Sequence, residues 1–155
     1  MGAIIFDVTG LPDASTFREV ARLQGPQEQG GFHNVFAYKH SNGRALLFAT
    51  RVAAHANVYD LGYLVEGRPD ALVAQIPLPP SVALPGESAY HDFYIGYHAD
   101  TGQDRFYGGG TGGYYVYNVT DLESPEHLVS LTGINGVSRG HTFTPSPDGR
   151  YAVTE

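Results

Sequence analysis

One short pattern occurs three times in this chain: an apolar run that closes on an aromatic residue, then Asp or Asn, then an aliphatic. The copies are Ile4-Ile5-Phe6-Asp7-Val8, Asn57-Val58-Tyr59-Asp60-Leu61 and Tyr115-Val116-Tyr117-Asn118-Val119. Such a period decides the fold before local propensity does, because each repeat is one supersecondary unit that buries its apolar surface only against a neighbour. After each copy comes a polar, Pro-bearing link (Leu11-Pro12-Asp13, Arg68-Pro69-Asp70, Ser124-Pro125-Glu126). A short apolar strand follows within Phe17 to Ala21, Ala71 to Ile76 and His127 to Leu131, and then a Gly- or Pro-rich loop.

Each loop leads to a His that opens the next strand: His33-Asn34-Val35-Phe36, His91-Asp92-Phe93-Tyr94 and His141-Thr142-Phe143-Thr144. Turns at Ser41-Asn42-Gly43, Asp100-Thr101-Gly102 and Ser146-Pro147-Asp148-Gly149 close hairpins. In the last, Pro presets φ and Gly takes the left-handed position. Arg44, Arg105 and Arg150 start the returning strands. The unit therefore has four strands, with His33 to His91 spanning 58 residues and His91 to His141 spanning 50.

That is the size of a β-propeller blade. The chain divides as 1–31, the second half of a blade; 32–79 and 80–132, two blades; and 133–155, the first half of another. The expectation is an all-β propeller segment of about three blade equivalents, each of four antiparallel strands. Closed rings need about four to eight blades, so the partners expected are further blades or a second copy of the chain. No segment carries a capped 3.6-residue period, and Ala14 to Leu23 reads as an edge strand by analogy with its counterparts.

Composition agrees with strands and turns: 11 Tyr and 8 Phe suit strands, and 20 Gly with 10 Pro suit the links between them. The net charge of −7 and a single Lys argue against a nucleic-acid partner, which needs a local basic excess. No run approaches the ~20 apolar residues of a membrane helix. Zero Cys excludes disulfides and thiolate ligands. Met1 to Asp7 has no basic region and meets an acid early, so it does not read as a signal peptide.

The stretch Gly113-Tyr114-Tyr115-Val116-Tyr117-Asn118-Val119-Thr120-Asp121, with Ser124-Pro125-Glu126-His127-Leu128-Val129, resembles the LVIVD-type repeat of bacterial and archaeal surface propellers. The segment His141 to Val153 is similar to the SPDGR hairpin found in many propeller families. The resemblance implies architecture more than activity, and it implies an extracellular or cell-surface location. The middle unit departs from it, because Asp60-Leu61 runs into Gly62-Tyr63-Leu64 in place of a Ser/Thr-Asp link.

The recurring histidines are the candidate site. If each opens the innermost strand of its blade, His33, His91 and His141 line the central channel, where imidazoles can converge on a divalent transition metal. The competing reading has each His capping its strand and bonding a neighbouring unit's backbone. Tyr94 and Tyr97 are the candidate ligand-shaping residues beside the ring. His40 and His98 each follow a ring His by seven residues, roughly 23 Å of strand, so they read as polar hairpin tips. Gly108 to Gly113 matches a dinucleotide-binding glycine pattern but precedes a strand, so it reads as a flexible crossing. Asp7, Asp60 and Asn118 read as acceptors of backbone hydrogen bonds in the following turn. No nucleophile elbow supports a hydrolase. The function expected is a non-catalytic propeller module that binds a ligand or partner at the channel mouth. The alternatives are a metal-dependent, oxidase-like propeller enzyme and a structural surface repeat.

Overall fold

The computed structural model describes residues 2–24, 31–79 and 88–155. The Gly- and Pro-rich loops expected at 25–30 and 80–87 lie outside the described residues. The fold is all-β, with four antiparallel sheets. The first pairs β1 (Ala3–Asp7) with β2 (Arg18–Leu23). The second is a meander of β3 (Val35–Lys39), β4 (Ala45–Ala49), β5 (His55–Asp60) and β6 (Leu72–Pro77). The third repeats it with β7 (Tyr90–His98), β8 (Gln103–Gly110), β9 (Gly113–Asn118) and β10 (Glu126–Thr132). The fourth pairs β11 (Phe143–Pro145) with β12 (Ala152–Thr154).

Local chemistry explains the turns. Gly43 closes the β3–β4 hairpin at φ +90°, a conformation that a side chain would oppose. The recurring Asp and Asn side chains work as acceptors: Asp7 Oδ1 takes the Thr9 amide at 3.0 Å and Asn118 Oδ1 the Thr120 amide at 3.1 Å. Asp60 uses the same chemistry differently. It accepts from the Tyr63 amide at 2.9 Å and caps a five-residue helix, α1 (Leu61–Val65), which the repeat pattern did not anticipate. Arg68 stacks over the Tyr63 ring at 3.4 Å and holds that turn in place of the missing Ser/Thr-Asp link. In the first unit, Ala14–Thr16 is a single 3-10 turn capped by Asp13, and the edge strand starts only at Arg18.

The second and third sheets pack face to face. Leu46, Phe48, Val58 and Ile76 meet Phe93, Ile95, Phe106 and Tyr117 in one apolar layer, and burying each such side chain is worth about 1.5–3 kcal/mol. Tyr90 anchors the layer by donating to Pro77 O at 2.9 Å. Between the third and fourth sheets a smaller layer forms from Tyr107, Tyr114, Val116 and Phe143.

Two expectations change here. His40 stands at the hairpin end but is no exposed tip: it is fully buried, with Nε2 at 3.0 Å from Val119 O and 3.3 Å from Asp104 Oδ2. Its Nδ1 accepts the Asn42 amide at 3.2 Å, so Nε2 carries the proton and donates across to the third sheet. Asp104, equally buried, accepts from Tyr38 Oη and Ser41 Oγ, each at 2.5 Å, which completes a polar clasp between the sheets. The glycine run is not a flexible crossing either. Gly108 to Gly110 end β8, Gly113 opens β9, and Gly110 pairs with Gly113 across a tight turn. The residues are small because other backbone occupies the space: a Cβ on Gly109 would sit 1.8 Å from His141 O, and one on Gly110 would sit 2.6 Å from Ala89 O.

Candidate metal centre

The three repeated histidines meet at one end of successive sheets. His33 and His141 stand two residues before β3 and β11, and His91 is the second residue of β7. Backbone bonds fix the outer two identically: His33 N donates to Thr50 O at 2.8 Å, and His141 N donates to Glu155 O at 3.0 Å. The sheets are tied to one another at the same level. Thr50 Oγ1 donates to His91 O at 2.8 Å, and the hydrogen-only face of Gly109 lets His141 O approach β8. Gly140 N then donates to Gly110 O at 2.8 Å.

This scaffold brings the imidazoles together, with ring centroids 4.2 Å apart for His33 and His91 and 3.9 Å apart for His91 and His141. Asp92 sits among them. Its carboxylate lies 3.8 Å from His33 Nε2, 3.4 Å from His91 Nδ1 and 2.9 Å from His141 Nδ1. Asn34 Nδ2 donates to the same carboxylate at 3.1 Å and orients it. Donor atoms of His33, His91 and Asp92 all lie within 4.8 Å of one another, and an ion shared by such donors is held at about 2.0–2.2 Å from each. His141 joins through its contact with Asp92, and Glu155 Oε2 stands 4.0 Å beyond it.

The Asp92 carboxylate supplies the negative charge of the cluster. Burial, reinforced by His141 and His33, holds the His91 imidazole below the usual histidine range and so keeps it neutral, the form that ligates metal. His91 Nδ1 is buried and makes no aligned hydrogen bond among the described residues, despite its 3.4 Å distance to Asp92. Among the described residues, none of the three imidazoles hydrogen-bonds a neighbouring backbone. The side chains of His33 and His141 are half-exposed, so one side of the cluster opens to solvent.

Tyr94 and Tyr97 are not part of this cluster. Tyr97 lies six positions along β7 from His91, roughly 20 Å of strand. Tyr94 packs on Phe36, and both tyrosines line a cleft of about 420 Å³ with His98, Pro147, Asp148 and Arg150. Asp92 escaped the sequence reading because the residue after each repeated His varies, being Asn34, Asp92 and Thr142. The only signal was its place directly after one of the repeated histidines.

Comparison with family models, with curated proteins and with solved structures gives no match in any of the three.

Proposed function

We propose that this chain is a β-propeller segment of the LVIVD-repeat kind, in which each four-stranded meander is a blade and the His-led strands line the channel, and that it binds a divalent transition metal there. The observation that carries the reading is the convergence of His33, His91 and Asp92 donors from the second and third sheets within 4.8 Å, with His141, which leads into the fourth sheet, against the same carboxylate. Imidazole and carboxylate donors suit Zn²⁺ or Fe²⁺, and two His with one carboxylate leave positions open for water or a bound ligand. The ligand at the channel mouth in a non-catalytic module is then the metal itself. The solvent-open side favours, as a second reading, metal-assisted chemistry on a small molecule that reaches the ion. The propeller reading also makes further blades or a second copy the natural neighbours, and the family resemblance points to a surface or secreted setting.

Metal analysis and calorimetric titration with Zn²⁺ and Fe²⁺ test the site. One ion per chain is expected in the parent protein, with binding lost in His91→Ala and weakened about 10- to 100-fold in Asn34→Ala, which frees the Asp92 carboxylate. No stoichiometric ion in the parent, or equal binding in His91→Ala, overturns it.

A further inference from the structure

We propose that the cleft between the third and fourth sheets binds a small phenolic compound, an aromatic ring carrying a hydroxyl group. This site is separate from the metal centre, and equivalent positions in the two four-stranded sheets reveal it. In the second sheet Phe36 pairs with Phe48 and Tyr38 with Leu46; in the third, Tyr94 pairs with Tyr107 and Gly96 with Arg105. The counterparts of Phe36, Tyr38 and Phe48 are therefore Tyr94, Gly96 and Tyr107. His40 corresponds to His98, each seven residues after a repeated His.

Between the second and third sheets the Tyr38 ring fills the space at this level. It packs edge-on to Phe48 and to His40, with centroids 6.3 and 6.4 Å away, and its hydroxyl donates to Asp104 Oδ1 at 2.5 Å. Between the third and fourth sheets the residues that bracket this ring are kept, as Tyr107 and His98, but its own position is Gly96. The cleft of about 420 Å³ opens there, with Tyr94, Gly96, His98, Tyr107, Pro147 and Asp148 on its walls. Pockets that hold small ligands run from about 300 to 1,000 Å³. The cleft thus originates in β7 itself, where residue 96 carries no side chain to fill it.

The walls suit a flat ring with a polar substituent. Tyr94 and Tyr107 stand with ring centroids 6.4 Å apart on the third-sheet side, and Pro147 stands on the fourth-sheet side. Aromatic pairs of this kind gain more than the burial of their area alone. His98 closes the cleft between them: a Cβ on Gly149 would lie 2.6 Å from its Nε2, so the imidazole rests on the turn of the fourth sheet. Asp148 uses Oδ1 to accept from the Ser146 hydroxyl at 2.6 Å and the Arg150 amide at 3.1 Å. Its Oδ2 is left as the acceptor for a ligand hydroxyl, the role Asp104 plays for Tyr38, and a bond to a carboxylate is stronger than one to a neutral acceptor.

The test compound is p-cresol, the Tyr38 side chain as a free molecule. Calorimetric titration and saturation-transfer NMR of the parent protein should show one saturable site per chain, with Kd on the order of 1 mM or tighter. Toluene, which lacks the hydroxyl, should bind at least about tenfold more weakly. Gly96→Tyr gives the third sheet the ring found in the second and should abolish p-cresol binding. The nearest obstacle to its Cβ is the Tyr94 ring at 2.9 Å, a side chain that can turn aside. Ala99→Trp, at an exposed turn position on the cleft wall, blocks the site without altering β7 and keeps the test readable if Gly96→Tyr misfolds, which circular dichroism checks. An absence of saturable p-cresol binding in the parent overturns the proposal, as does binding that either folded variant leaves intact. Equal affinity for toluene, or binding of methyl β-glucoside in place of p-cresol, overturns the assigned ligand class.

Discussion

Replacing Gly109 by Ala tests whether the glycine run exists to seat the His141 backbone. The added Cβ would lie 1.8 Å from His141 O and 2.8 Å from its carbonyl carbon, whereas carbon and oxygen settle at roughly 3.5 Å. Because the obstacle is main chain, no rotamer relieves it, and the segment before β11 must retreat by about 1.7 Å. Such a retreat takes the Gly140 N to Gly110 O bond, now 2.8 Å, past hydrogen-bonding distance. Overpacking of this kind costs about 1–3 kcal/mol and the lost bond about 1 kcal/mol more. A total of about 2–4 kcal/mol lowers Tm by roughly 4–16 °C in a domain of this size. The same retreat carries His141 away from Asp92, so metal affinity falls along with stability. Gly133→Ala is the control. Its Cβ meets nothing within 4 Å and its cost comes from φ of +70° alone, so it loses about 1 kcal/mol and leaves metal affinity unchanged. Differential scanning calorimetry and zinc titration of both variants decide the matter. A Gly109→Ala protein melting within a degree of the parent, with parental zinc affinity, refutes the close approach.

Three further outcomes follow from the same structure. Burial holds His91 and His55 below the usual histidine range, helped by His141 and His33 for the first and by Arg51 for the second. The unfolded chain therefore takes up protons near pH 6.5 that the folded chain refuses. Stability of metal-free protein is thus full above that pH and falls on acidification from pH 7.5 to 5.5. Melts in EDTA should show this, with a smaller fall in His91→Gln, and a flat profile would contradict it. Thr50→Val keeps the shape but removes the 2.8 Å bond to His91 O, and should cost about 1 kcal/mol by urea titration with little change elsewhere. Asp104→Asn breaks the buried clasp with Tyr38, Ser41 and His40 and should cost about 3 kcal/mol, measured the same way; a neutral result would mean the clasp carries no stability.

Residues alone determined the strand plan of this protein. The aromatic-Asp motif, the His-led strands and the Gly-closed turns place twelve strands in groups of two, four, four and two, because alternation and turn chemistry are local properties that each segment carries with it. The convergence of His33 with His91 and His141 was also legible, since equivalent positions in stacked repeats stand side by side. The tertiary structure decided what depends on neighbours from other sheets. Asp92 became the hub of the cluster because Asn34 and His141 reach it from either side. His40, seven residues after a repeated His as His98 is, was buried because Asp104 and Val119 O offered its Nε2 partners across the sheet gap. The glycine run became a seat for backbone of the fourth sheet, and Tyr94 and Tyr97 were carried down β7 to a separate cleft. Such contacts join residues tens of positions apart, so no local pattern in the chain encodes them.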